Sequence, residues 1–227
     1  MFKYDTHVHT WEVSPCGKVK ASELVGIYKK RGYSGIVITD HYCESVFENM
    51  PACNWEEKVG YYLEGYRTAC KEAQKEGMDV ILGMEITFQD SLNDYLVFGI
   101  DESFLMENPE LYKINLRKFR EIVEEKDIMV YQAHPFRPYM IAVEPSLLDG
   151  VEVYNGNPRH DSQNHRAYSY AVENNLRMLS GTDFHQPQDM GGGIIVSERI
   201  NSPEKLVRTL RNEHINLLGN TMLQMIL

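Results

Sequence analysis

The chain has 227 residues, 43% of them hydrophobic, and a formal net charge of −10 at neutral pH. That is enough apolar material for one sizeable core, so a single domain over 1–227 is expected, and no apolar run is long enough for a membrane-spanning helix. The acidic balance argues against a nucleic-acid partner, whose affinity a basic face would supply, but not against a small phosphorylated substrate, because bound cations reverse the local field.

In chain order, a short apolar stretch from Phe2 reads as a strand that runs into DTHVHT (5–10). Residues i and i+2 of a strand share a face, so His7 and His9 project together. Residues 21–31 place Ala21, Leu24, Val25 and Tyr28 at helical spacing and stop at Gly32. GIVIT (35–39) is a β-branched strand. The segment 55–76 reads as one long helix, with Val59, Tyr62, Leu63, Tyr66, Cys70 and Ala73 on one stripe. DVILG (79–83) and YLVFG (95–99) are strands, and 109–126 is helical with Pro109 in its first turn. IMVYQA (128–133) and GVEVY (150–154) follow as strands, 161–175 as a helix, and LRMLSG (176–181) and GIIV (193–196) as extended segments. Ser202 then caps a last helix with Pro203 at its first position. This alternation predicts an α/β protein with a parallel sheet covered by helices, open or closed into a barrel.

The cysteines Cys16, Cys43, Cys53 and Cys70 form no CxxC pair, and the chain enters MFKYD without an apolar leader. Reduced thiols in a cytoplasm are the expectation. Buried thiols are the plain reading of Cys16 and Cys43.

The ionisable groups fall at strand ends. His7 and His9 close the first strand, Asp40 and His41 close GIVIT, and Glu85 follows DVILG. His134 follows IMVYQA, and Asp183 and His185 follow LRMLSG. Parallel α/β sheets and barrels place their sites at that end. Histidine and carboxylate suit zinc, manganese or iron. Read alone, the His7–His9 pair is more plainly a pair of solvated histidines, and Asp40 is equally a turn cap; shared placement is what favours a site.

The series DTHVHT, ITDH, GMEIT, QAHPFR and SGTDFH, in this order from His7 to His185, resembles the PHP (polymerase and histidinol phosphatase) family, in its free-standing phosphoesterase form. The resemblance implies a distorted (β/α)7 barrel, two to three divalent ions (Zn, Mn or Fe) and phosphoester hydrolysis by attack of a metal-bound hydroxide. It implies that His7, His9, Glu85 and Asp183 hold a first ion. Glu85 would bridge to a second at His134, and His41 and His185 would hold a third. Two positions depart from the family pattern. The His or Asp that usually follows HxH is missing from WEVSPCG, where Glu12 or the softer Cys16 could substitute. The usual His near the fourth strand is replaced by NDYLVFGID, which offers Asp94 and Asp101.

The expected reaction is hydrolysis of a small phosphomonoester. Arg137 would bind the phosphate, although it is equally a surface ion-pair partner, and Arg159 is a second candidate. A protonated Asp40 or a metal-bound water would serve as general acid. Alternatives are C–N bond hydrolysis on the same metals, or a degenerate module that binds metal and a phosphorylated ligand without turnover. The loop 43–54 is the candidate lid or pocket wall, with Phe47 and Met50 meeting an apolar leaving group, and His160 is a weaker candidate. His165 and His214 lie outside the motif series, His214 as a structural residue. GGG (191–193) reads as a flexible turn, since it precedes a strand and lacks the ending of a phosphate loop.

Overall fold

The computed structural model describes residues 1–51, 53–212 and 215–219. His214 lies outside the described residues, as does Ala52 within the 43–54 segment. Ten strands form one sheet: β1 (Phe2–Val8), β2 (Gly35–Ile38), β3 (His41–Tyr42), β4 (Asp79–Thr87), β5 (Asp94–Phe98), β6 (Met129–Gln132), β7 (Gly150–Asn155), β8 (Arg177–Gly181), β9 (Gly193–Val196) and β10 (Asn216–Leu218). The helices are α1 (Ala21–Lys30), α2 (Glu44–Glu48), α3 (Trp55–Tyr62), α4 (Glu64–Glu76), α5 (Glu102–Glu107), α6 (Leu116–Val123), α7 (Asn164–Glu173) and α8 (Pro203–Asn212).

The sheet runs β10-β9-β1-β2-β4-β5-β6-β7-β8, with β3 beside β4. It curls into a nearly closed barrel. Val8 bridges to Phe184 just past β8, and His9 N donates to Phe184 O at 3.1 Å. At the other end of β1, β9 inserts antiparallel, Phe2 opposite Val196. The barrel therefore closes where the histidines sit. Among the described residues no helix is long and apolar enough to cross a membrane.

The sheet is mixed where the sequence suggested parallel pairing. β5 is antiparallel to both β4 and β6. The cause is length: β4 continues through Glu85 to Thr87, which leaves only 88–93 before β5. So short a connection permits a hairpin and not a crossover. Two helices also differ from expectation. The 55–76 stretch breaks at Leu63 into α3 and α4. The 109–126 stretch is interrupted by Glu110 at φ 52 and restarts only after Asn115, whose side chain accepts from Lys118 N at 2.9 Å. Pro109 lies in the intervening turn. Ser202 caps α8 as expected, accepting from Lys205 N at 3.2 Å.

The barrel has an apolar floor. Tyr4, Val37, Ile81, Leu96, Met129 and Leu179 pack with Leu206, Val207 and Leu210 of α8. Ile81 and Glu85 lie four residues apart on β4, on one face, so the polar groups stand above this floor. The β1–β2 register slips between Asp5 and Val8, a bulge that lets both Tyr4 and His7 face inward. Phe47, expected at a pocket wall, belongs to the outer core instead. It stacks on Trp55, Tyr62 and Tyr112, and Met50 packs against the same cluster. The GGG turn is closely packed: a Cβ at Gly192 would lie 2.2 Å from Gly181 O.

Candidate metal centre

Seven side chains from five strand ends converge above the floor. His7 Nε2 lies 3.1 Å from His9 Nε2, 3.1 Å from Glu85 Oε1 and 3.6 Å from Asp183 Oδ1. His9 Nε2 is 3.4 Å from both Glu85 Oε2 and Asp183 Oδ1. His134 Nε2 is 3.2 Å from Glu85 Oε1, and His41 Nδ1 is 2.7 Å from Glu85 Oε2. The rings of His9 and His185 stack at 4.4 Å. A tetrahedral ion with bonds of about 2.0–2.1 Å would set its ligands about 3.3 Å apart, close to these spacings. Among the described residues, four overlapping groups of potential ligands result: His9–His41–His185, His7–His9–Glu85, His7–His134–Asp183 and Glu85–Asp94–His134.

The donor set fits divalent cations. Glu85 Oε2 is buried and finds no aligned hydrogen-bond donor among the described residues, although two imidazoles crowd it. Burial works against ionisation of Glu85, but His7 and His41 hold its carboxyl well below the usual range. Asp183 is held low likewise, chiefly by His7. Burial, with His41 and His185 nearby, keeps His9 neutral. Ionised carboxylates and neutral imidazole are the ligating forms. Three imidazoles run the other way: burial opposes their charge, but Glu152, Glu85 and Asp183 raise His7 and Glu85 raises His41 well above the ordinary value, and Cys16 and Asp183 raise His185. The pocket's carboxylates thus demand a positive charge. Two candidate ligands also have strained backbones, His134 at φ 29 and Asp183 at φ 51, conformations that collect at functional sites.

A ring of buried groups aims these side chains. Glu152 Oε1 lies 2.9 Å from His7 Nδ1, which leaves Nε2 toward the cluster. Ser14 Oγ is 3.2 Å from His9 Nδ1 and donates to Asp40 Oδ1 at 2.7 Å. Arg137 Nη2 donates to Asp183 Oδ2 at 2.7 Å and also reaches Asn155 and Ser162. Arg137 Nε has no partner among the described residues.

Several expected site residues are not brought to the cluster. Glu12 accepts from Ala21 N with both oxygens, at 3.1 and 3.0 Å, and caps α1. Asp40 spends both oxygens on Thr10 and Ser14, so it braces the turn instead of facing the cluster; burial pushes its carboxyl up to about 6. Arg159 pairs with Asp189, which in turn accepts from His185 N at 3.0 Å. Asp101 caps α5 through Phe104 N.

Two residues gain importance. Asp94 Oδ2 lies 4.0 Å from His134 Nε2. Because β5 is reversed, its first residue stands at the site end, where parallel strands present their last. Burial and Glu85 raise the Asp94 carboxyl. Glu152, inside GVEVY, escapes the strand-end pattern, although an acid within an apolar strand is a signal in plain view. Cys16 and Cys43 are unpaired thiols, and neither is buried: Cys43 is half-buried and Cys16 exposed. Burial raises the Cys16 thiol, but His185 and His41 outweigh it and bring it down to about 6. Beside Asn155 and Ser162 a cavity of about 580 Å³ opens, lined also by Asn157, His160, Asn164 and Tyr168.

The sequence profile of the PHP domain matches residues 5–190. No curated protein matches the chain. Among solved structures, a two-domain protein from Bacteroides vulgatus ATCC 8482, named for a PHP-like metal-dependent phosphoesterase predicted within it, is similar at 19% identity and TM-score 0.71. That match covers 96% of this chain and 64% of the other, so this chain spans under two thirds of that protein. PsfC from Pseudomonas syringae PB-5123 is similar at 13% identity and TM-score 0.67, over 97% of this chain and 92% of its own. An amidohydrolase from Chromobacterium violaceum, solved with sulfate and no metal, is similar at 15% identity and TM-score 0.57, over 96% and 99%. At these identities the structures show a shared fold, and with a profile match that carries every residue of the cluster from His7 to His185, the chain belongs to the PHP domain family.

Proposed function

We propose that the protein hydrolyses a small phosphomonoester at this cluster, loaded with two to three divalent ions (Zn, Mn or Fe). The observation that carries the reading is the convergence of His7, His9, His41, Glu85, His134, Asp183 and His185, with an arginine beside them. His7, His9, Glu85 and Asp183 would hold a first ion. Glu85 and His134, with Asp94, would hold a second, and His41 and His185 a third. Such ions supply Lewis acidity at the phosphate oxygens and make water a nucleophile at neutral pH.

The chain's own residues provide the rest. Glu152 fixes His7, and the Asp40–Ser14 pair fixes His9. Arg137 turns Asp183 so that Oδ1 meets the imidazoles, and its unpartnered Nε supplies a charge-assisted donor for a phosphate oxygen. Asp40 acts as a positioning residue, because neither of its oxygens is free to deliver a proton. The cavity beside Asn155 receives the leaving group, and its amide-rich lining suits a polar one.

A second reading, hydrolysis of a C–N bond on the same ions, draws on the similarity to an amidohydrolase. The test is a substrate panel of phosphomonoesters, phosphodiesters and amides, run on metal-stripped protein refilled separately with Mn, Zn and Fe. Phosphate release that is lost in Asp183→Ala is the expected result. Amine release without phosphate would replace the first reading with the second. Metal and ligand binding without turnover of any substrate would contradict both.

A further inference from the structure

The exposed thiol of Cys16 stands between two imidazoles. Its Sγ lies 2.9 Å from His185 Nε2 and 3.2 Å from His41 Nε2. Each ring is set from its far side. His185 Nδ1 lies 2.8 Å from the Asp183 carbonyl, and His41 Nδ1 is turned to Glu85 Oε2 at 2.7 Å. In the neutral ring that a metal binds, a nitrogen turned to an acceptor leaves the other free to ligate. Both Nε2 atoms face the one sulfur. Two ring nitrogens and one sulfur so placed are the donor types that a zinc-class ion takes.

The loop that carries Cys16 is built for this position. Lys18 N donates to the backbone oxygen of His185 at 2.7 Å, and Gly17 N to Ser14 O at 2.9 Å. A Cβ at Gly17 would meet Thr10 O at 2.8 Å, so only glycine allows the turn to close this tightly. Glu12, the other acid in this loop, is committed to α1. Among the described residues, Cys16 is the side chain of WEVSPCG that reaches these two imidazoles.

We propose that Cys16 is a metal ligand, and that its thiolate with Nε2 of His41 and Nε2 of His185 forms a subsite of two nitrogens and one sulfur for a zinc-class ion. This rests on the reading that the cluster holds divalent ions. On binding, the thiol proton leaves to solvent as the sulfur–metal bond forms. Sulfur favours zinc or cobalt over manganese, whereas the carboxylate-richer subsite of Glu85, Asp94 and His134 accepts manganese. The cluster is thus a mixed-metal centre, with its selectivity set by one side chain.

The test is cobalt titration of the metal-stripped full chain, followed by metal analysis of protein refilled with zinc and manganese together. Wild type should show a sulfur-to-cobalt charge-transfer band in the near ultraviolet. Cys16→Ser should lose the band and one equivalent of zinc while keeping its manganese. Cys16→Asp should regain an equivalent without the band, and Cys43→Ser should match wild type. A wild type with no such band, or a Cys16→Ser variant that retains all its zinc, would overturn the proposal and leave phosphoester hydrolysis standing. A wild type that binds no ion at all would overturn both.

Discussion

Glu152 decides which nitrogen of His7 faces the cluster. It also accepts from His134 N at 3.1 Å and from Asn155 Nδ2 at 2.9 Å, so one buried carboxylate aligns two candidate ligands. Partners of this kind are worth about 10–100-fold in metal affinity. Glu152→Gln should therefore weaken binding by about that factor without unfolding the chain, read by competition against a chromophoric chelator. Unchanged affinity would remove Glu152 from the site. Asp5 offers a test in pH. It is buried beneath Tyr28 and Thr182, and burial raises its carboxyl to about 6 despite their hydrogen bonds. The folded state then holds a proton that the unfolded chain releases near pH ~4, so this contribution is full below that pH and is lost as pH rises through about 6. In metal-free protein, the stability of wild type minus that of Asp5→Asn should fall by about 2 kcal/mol from pH ~4 to ~7. Denaturant titrations at each pH measure it; a difference that does not vary with pH would contradict the assignment.

At the scale of elements, the strand-end motifs are legible in the sequence because their chemistry permits few residue types, and because short β-branched runs mark the strands before them. Asp94 is legible only as a candidate. Its role depends on the reversal of β5, and that depends on how far β4 extends, which the apolar pattern around GMEIT does not bound. Phe47 is misplaced by the sequence because an aromatic in a loop-like stretch gives no sign of which partners will stack on it. Glu12 shows the limit of type and spacing: an acid near a histidine pair can as well cap the next helix. Glu12→Ala should cost about 1 kcal/mol of stability and leave metal content unchanged; a lost equivalent of metal would make it a ligand. The close crossing of β8 and β1 is equally testable. A Cβ at Gly181 would lie 2.4 Å from His7 Cβ and 2.8 Å from Glu152 Oε1. Gly181→Ala should displace His7, destabilise by about 1–3 kcal/mol as overpacking does, and lower metal affinity in the same protein.

The whole molecule is a barrel closed at the end that carries ionisable groups and floored by apolar ones. Seven converging His and carboxylate side chains, mostly buried, repel or desolvate one another without a cation, so metal loading and stability are linked. Saturating metal should raise the unfolding free energy, by about 4 kcal/mol at a thousandfold excess over Kd, and a chelator should reverse it. The most direct measurement is inorganic phosphate release from a phosphomonoester by metal-stripped protein, before and after one divalent metal is restored, for wild type and His9→Ala side by side. Release that appears only with metal, and only in wild type, is the predicted result. Equal release with and without metal, or full release by a His9→Ala variant that has lost its ions, would contradict a metal-dependent phosphoesterase.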